Sequence, residues 1–146
     1  MSTFVSIRMS VDIHLEKWEQ LKAEPAGRSN IYVIKSIPFY ARGIAYGDEI
    51  LTITSEEGYS PVFKSVVKRS GFSTVRLWIA ESEDQEKLTE HFTELNTLLE
   101  FDGRLVTLAI PRNKYDEVVD YICTEKENGR WGAEEGFLII DDPTAI

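Results

Sequence analysis

Cysteine is nearly absent from this chain. Cys123 stands alone among 146 residues, which excludes a disulfide-stapled miniprotein and any site built from several thiolates. Histidine is almost as scarce, with only His14 and His91, leaving little for a histidine metal centre or for acid–base chemistry near neutral pH. Long apolar runs are missing as well. Stretches such as Phe137-Leu138-Ile139-Ile140 fall far short of the roughly 18 residues that a membrane helix needs. Basic charge is in deficit, with 16 Lys and Arg against 25 Asp and Glu for a net −9. Binding nucleic acid by phosphate neutralisation therefore has the wrong sign. Met1-Ser2-Thr3-Phe4 shows no basic region followed by an apolar stretch, so no secretory signal is expected and the cytoplasm is the expected compartment.

What is present suits one folded core. Hydrophobic residues make up 42% and aromatics 11%, and a chain of this size buries roughly 68–70% of its unfolded surface. One domain over residues 1–146 is expected, with a β-rich part at 1–72 and a βαβα(β) part at 73–146. The acidity is uneven. Residues 1–80 hold ten basic and eight acidic groups, net +2, while residues 81–146 hold six and seventeen, net −11. Such asymmetry speaks of an interaction rather than of fold.

Hydrophobic periodicity divides the chain into two textures. Val5, Ile7 and Met9 alternate with Ser6, Arg8 and Ser10, and the period of two continues, predicting a strand over 4–15. Residues 18–24 read either as strand or as a short helical turn. Further strands are expected at 30–37, 49–54 and 62–68, punctuated by Pro25, Pro38, Gly43, Gly47-Asp48, Gly58 and Ser70-Gly71. Four or five short strands with such turns predict a small barrel or strongly curved sheet. Thr74–Ala80 is the next strand, with Trp78 on its outer face. Ser82 and Gln85 stand at capping-box spacing, and Leu88, Phe92, Leu95 and Leu99 form an apolar stripe that predicts a helix over 83–100. A strand at 105–110, a helix from an Asn113 cap to Gly129 and a strand at 136–140 complete the pattern. The expected fold is α+β: a barrel-like N-terminal unit joined to a two-helix, ferredoxin-like half sandwich.

Candidates for chemistry are few. Asp12, His14 and Glu16 share one strand face and could orient an imidazole or hold a metal; the plainer reading is a solvated face. His91, beside Glu90 and Glu94, reads as a surface residue. Cys123 sits late in its helix, where the dipole opposes a thiolate, and reads as core filler. No G-x-S-x-G, Walker A, G-x-G-x-x-G or H-E-x-x-H motif occurs. No catalytic residue, cofactor or metal is therefore assigned.

Two acidic groups are more telling. Glu86, Glu90 and Glu94 recur every four residues, placing three like charges in one stripe. The helix dipole accounts for acids in the first turn but not for Glu90 or Glu94. Such a stripe reads as a solubilising face or as a docking face for a basic partner. Trp131-Gly132-Ala133-Glu134-Glu135-Gly136 offers a large rigid ring and two carboxylates, suiting either an interface anchor or a cap on the core.

Ile37-Pro38-Phe39, Gly43, Gly47-Asp48, Val66-Val67-Lys68-Arg69-Ser70-Gly71, Ser73-Thr74 and Arg76 follow in an order that resembles domain-of-unknown-function family 4265, small bacterial proteins. Tyr32 and the segment from Trp131 to Gly136 extend the resemblance, which is firmest over residues 30–76. Glu16-Lys17-Trp18-Glu19 only loosely resembles the family's acidic-tryptophan opening. Membership implies a bacterial source and no established activity, and it transfers no catalytic residue. By analogy, small acidic proteins of this kind are often encoded beside polymorphic toxins as immunity partners.

The expected function is non-enzymatic: binding a basic protein, such as a toxin or nuclease, through Glu86, Glu90, Glu94, Trp131, Glu134 and Glu135. The competing expectation is a small-molecule enzyme or ligand sensor with a pocket between the two halves, using Asp12, His14 and Asp48. A homodimer joined through the Trp78 face is a third; the protein is expected as monomer or homodimer, with no membrane or nucleic-acid partner.

Overall fold

The computed structural model describes residues 4–12, 17–53 and 60–139. Five strands come first: β1 (Val5–Asp12), β2 (Lys17–Pro25), β3 (Ile31–Ile34), β4 (Glu49–Ile53) and β5 (Val62–Lys68). Alternation in β1 turns Ile7 and Met9 inward, opposite Leu21 and Glu19 of β2. Ile7, Leu21, Ala23, Ile34 and Ile50 then pack with Ala41 and Ile44 from the loop that follows β3. The segment that read as strand or helix is β2, held by its ladder to β1.

The expected barrel needs correction. Strands β1 to β5 form one five-stranded sheet in sequence order, antiparallel between consecutive strands. The sheet curls until its two ends touch, but among the described residues the seam is a single parallel pair, Arg8 with Val62. A barrel owes its stability to a ladder that runs all the way round and leaves no edge. Among the described residues one rung joins the two ends, so the unit is a rolled sheet.

The second sheet contains β6 (Ser73–Trp78), β7 (Leu98–Asp102), β8 (Leu105–Ile110) and β9 (Gly132–Phe137), with helices α1 (Gln85–Glu94) and α2 (Tyr115–Glu127). Its order is β7-β8-β6-β9, with every neighbouring pair antiparallel. That is a full four-stranded split βαβ arrangement, one strand more than the half sandwich expected from sequence. Both helices cover one face. Val75, Leu77 and Ile79 of the β6 segment meet Leu88 and Phe92 of α1, and Val118 and Ile122 of α2.

The missing strand was hidden by a coincidence of spacing. Leu99 continues the helical stripe of Leu88, Phe92 and Leu95, yet α1 stops at Glu94. Asn96 takes a left-handed conformation, φ 54. The amides of Asn96 and Thr97 bond back to the carbonyls of Thr93 and Phe92, both at 2.9 Å. This is the Schellman closure, in which Asn can replace Gly. The other end also differs: Asp84, not Ser82, caps α1, accepting from the amides of Glu86 and Lys87. Asn113 is no cap either. It lies inside a single 3-10 turn, Arg112–Lys114, that leads directly into α2. Among the described residues, no helix is long and apolar enough to cross a membrane.

Candidate functional site

The loop between β3 and β4 fills the space between the two sheets. Its backbone polar groups, buried away from water, need partners, and side chains from both sheets supply them. Glu19 on β2 accepts the amides of Phe39 at 2.7 Å, Tyr40 at 3.0 Å and Ala41 at 2.8 Å. From the second sheet, the Thr107 hydroxyl donates to the Pro38 carbonyl at 2.7 Å and the Thr74 hydroxyl to Ile44 at 3.0 Å. The Gly43 amide reaches the Gly136 carbonyl at 3.0 Å.

Asp48 ends this loop and is fully buried. Its carboxylate accepts the amides of Ala45 and Ser70 at 3.0 and 2.8 Å, and the Arg69 guanidinium at 3.0 Å. Burial pushes its pKa up, while the Ser70 and Ala45 amides and Arg69 pull it down. Arg69 also donates to the Gly43 carbonyl and lies 3.9 Å over the Phe137 ring. Every oxygen of Asp48 is thus spent on holding the loop, which corrects its candidacy as a pocket residue. Beside it, Gly47 has φ +84, and a Cβ there would sit 2.9 Å from the Ser70 Cβ. Gly43 has φ +77, and a Cβ there would meet nothing within 4 Å among the described residues. Gly43→Ala should therefore cost about 1 kcal/mol of backbone strain, whereas Gly47→Ala adds a clash and should cost about 2–4 kcal/mol. Urea unfolding of the two variants checks this, and equal losses would contradict it.

A pocket opens between the loop and the helix-free face of the second sheet. Its cavity measures about 230 Å³, and Phe39, Tyr40, Arg42, Arg76, Trp78 and Glu134 are among its walls. Arg76, on β6, is 2% exposed. Its Nη2 donates to the Ala41 carbonyl and its Nη1 to Glu134 Oε1 at 3.4 Å. The same Glu134 oxygen accepts from Arg42 Nη2 at 3.1 Å. Burial lowers the Arg76 pKa, and Glu134 and Glu19 oppose that shift. Sequence reasoning noted Trp78 but passed over Arg76 as a site residue. A lone guanidinium within the apolar run of β6 was the available signal, since such a charge needs built partners.

The acidic residues named from sequence do not form one patch. Glu86, Glu90 and Glu94 are exposed on α1. Glu86 and Glu90 line a shallow hollow with Gln85, Thr89 and Phe101. Glu134 lies on the other side of the sheet, paired with the two arginines, while Glu135 borders a small cavity beside α2. Trp131 caps the core rather than offering a contact. It is 4% exposed, packs edge-on against Tyr121 at 5.4 Å, and donates its indole N–H to Glu83 at 2.8 Å. Cys123 is exposed, not core filler. His91 is exposed, its ring 4.3 Å from that of Tyr121. His14 and Glu16, and the side chain of Asp12, lie outside the described residues. Among the described residues, no group of three or more His, Cys, Asp or Glu could hold a metal ion.

The helical layer gathers the excess charge. α1 carries three carboxylates against one lysine, and α2 five against one. Glu83 and Glu125 pair with Arg130, and Glu117 with Lys114. Glu86, Glu90, Glu94, Asp116, Asp120 and Glu127 are exposed and have no ion-pair partner among the described residues.

Comparison with known proteins gives a family and a fold. The family model described as domain of unknown function, DUF4265, matches residues 19–133. No curated protein matches the chain. A crystal structure of a hypothetical protein from Neisseria gonorrhoeae is similar, with a TM-score of 0.72 at 16% identity, over 94% of this chain and 96% of that one. At that identity the likeness is one of fold alone.

Proposed function

This chain belongs to the DUF4265 family, and from that premise we propose that it is a non-enzymatic binding protein whose acidic helical face receives a basic protein. The reading is supported above all by one observation. Three carboxylates recur along α1, exposed and without ionic partners among the described residues, while other acids in the same layer are paired. Like charges one turn apart cost about 0.2–0.5 kcal/mol per pair, a cost that a cationic partner reverses. The second helix widens the field with Asp116, Asp120 and Glu127. The hollow lined by Glu86, Glu90 and Phe101 adds an apolar contact beside two charges.

The partner in this reading is a toxin or nuclease whose Lys and Arg otherwise face phosphate, and the protein acts as its immunity partner in the cytoplasm. Complementary fields give fast association that weakens with salt. The roles first assigned to Trp131 and Glu134 are not part of the contact, because one is in the core and the other is engaged by Arg42 and Arg76.

Glu86→Gln, Glu90→Gln and Glu94→Gln together should weaken binding to a basic toxin or nuclease partner by about 10–100-fold. Most of the loss should fall on the association rate, and raising salt should shrink the difference between wild type and variant. Surface plasmon resonance at two salt concentrations measures both. A triple variant that binds as wild type does, or binding indifferent to salt, would remove α1 as the docking face.

A further inference from the structure

The pocket between the loop and the second sheet has the build of a small-anion site. Three aromatic side chains, Phe39, Tyr40 and Trp78, stand around it. Tyr40 and Trp78 remain 50% and 52% exposed. Rings of that size left half in water gain from being covered by another flat ring. Beneath them lies Arg76, all but fully buried, whose Nε has no hydrogen-bond partner among the described residues. Buried polar atoms without partners are rare and call for an explanation.

Charge around the pocket is thinly matched. A single oxygen of Glu134 serves both Arg42 and Arg76, and the bond to Arg76 is long at 3.4 Å. Glu19, the other carboxylate that acts on Arg76, has its oxygens engaged by the amides of Phe39, Tyr40 and Ala41. Glu134 is 42% exposed and Arg42 72%, so both can move without disturbing the core. Guanidinium forks bind planar carboxylates in a bidentate manner.

We propose that this pocket binds a small aromatic carboxylate, its ring against Trp78 and Tyr40 and its carboxylate on Arg42 and Arg76 in the place now held by Glu134. The cavity of about 230 Å³ is smaller than the roughly 300–1,000 Å³ of pockets for drug-sized ligands, which selects a single ring with one acidic substituent. Glu134 acts as an internal stand-in that keeps the two guanidiniums compensated until the ligand arrives. The site is separate from the acidic outer face of α1, so either can exist without the other.

The test uses 4-hydroxybenzoate as probe, with neutral 4-hydroxybenzamide and inorganic phosphate for comparison, titrated into the full-length chain and followed by the indole N–H signals in NMR. The Trp78 signal, assigned by its loss in Trp78→Phe, should shift with 4-hydroxybenzoate at concentrations up to about 5 mM. The amide should bind about tenfold or more weakly, and phosphate should leave the signal in place. Arg42→Gln should weaken the benzoate by about tenfold, while Glu86→Gln should not alter it. Silence of the Trp78 signal with 4-hydroxybenzoate, equal binding of acid and amide, or indifference to Arg42→Gln would each overturn the proposal. A shift caused by phosphate alone would assign the arginines to inorganic anions and refute the aromatic requirement.

Discussion

Replacing Asp48 with alanine is expected to cost about 3–5 kcal/mol, the usual penalty for removing one partner of a buried ion pair. The variant leaves the amides of Ala45 and Ser70 without this acceptor and removes the Asp48 carboxylate from Arg69. An unsatisfied buried donor alone costs about 1–3 kcal/mol. The loop that these bonds fix carries Ala41 and Ile44 into the first core, so the loss should reach the whole molecule. The pH dependence has a definite sign. Burial holds the folded-state pKa of Asp48 above its ordinary 3.8. Its contribution is therefore complete below that value and declines as pH rises through the folded-state pKa. The gap between wild type and Asp48→Ala should widen, not close, as the pH is lowered from neutrality towards 4. Urea unfolding followed by circular dichroism reads both effects. A loss below about 1 kcal/mol would mean that the loop does not depend on this carboxylate.

Phe92→Ala should cost about as much, 3–5 kcal/mol, by a different route. Phe92 is fully buried under α1, with ring centroids 5.9 Å from Tyr121 and 6.1 Å from Trp131. Truncation removes its transfer free energy and leaves a cavity that rigid aromatic neighbours cannot close. Trp131 should then report the change: its emission should shift to the red as water reaches a ring now 4% exposed. Denaturant unfolding together with tryptophan fluorescence tests this. An unshifted spectrum with a large stability loss would place the damage away from Trp131.

Much of this architecture is written locally. Alternation in Val5–Met9 and Val75–Ile79 identifies strands because one face of each is buried, and the Leu88, Phe92 stripe identifies α1 by the same logic. Local patterns fail where two periods agree by chance. Leu99 fits both a helix face and the inward side of β7, and only the left-handed Asn96 separates them. Trp131 is a similar case. A large ring followed by carboxylates looks alike whether it caps a core or meets a partner, and long-range packing against Phe92 and Tyr121 decides it. The pocket was the least legible feature. Phe39, Arg76 and Glu134 lie far apart in the chain and meet only because the loop is laid across the second sheet. The acidity of the helical layer, by contrast, was visible as a charge count, and folding added that both helices lie on one face.

Glu19, Thr74 and Thr107 bind the same loop from opposite sides. A connection held by one sheet would let each half open and close on its own. Held by both, it works as mortar: neither sheet can separate without stripping hydrogen bonds from the other's partner segment. Unfolding of the two halves is therefore expected to be coupled through this loop. Arg76 on one side and Glu19 of β2 on the other thus meet on the backbone of the same residue, Ala41.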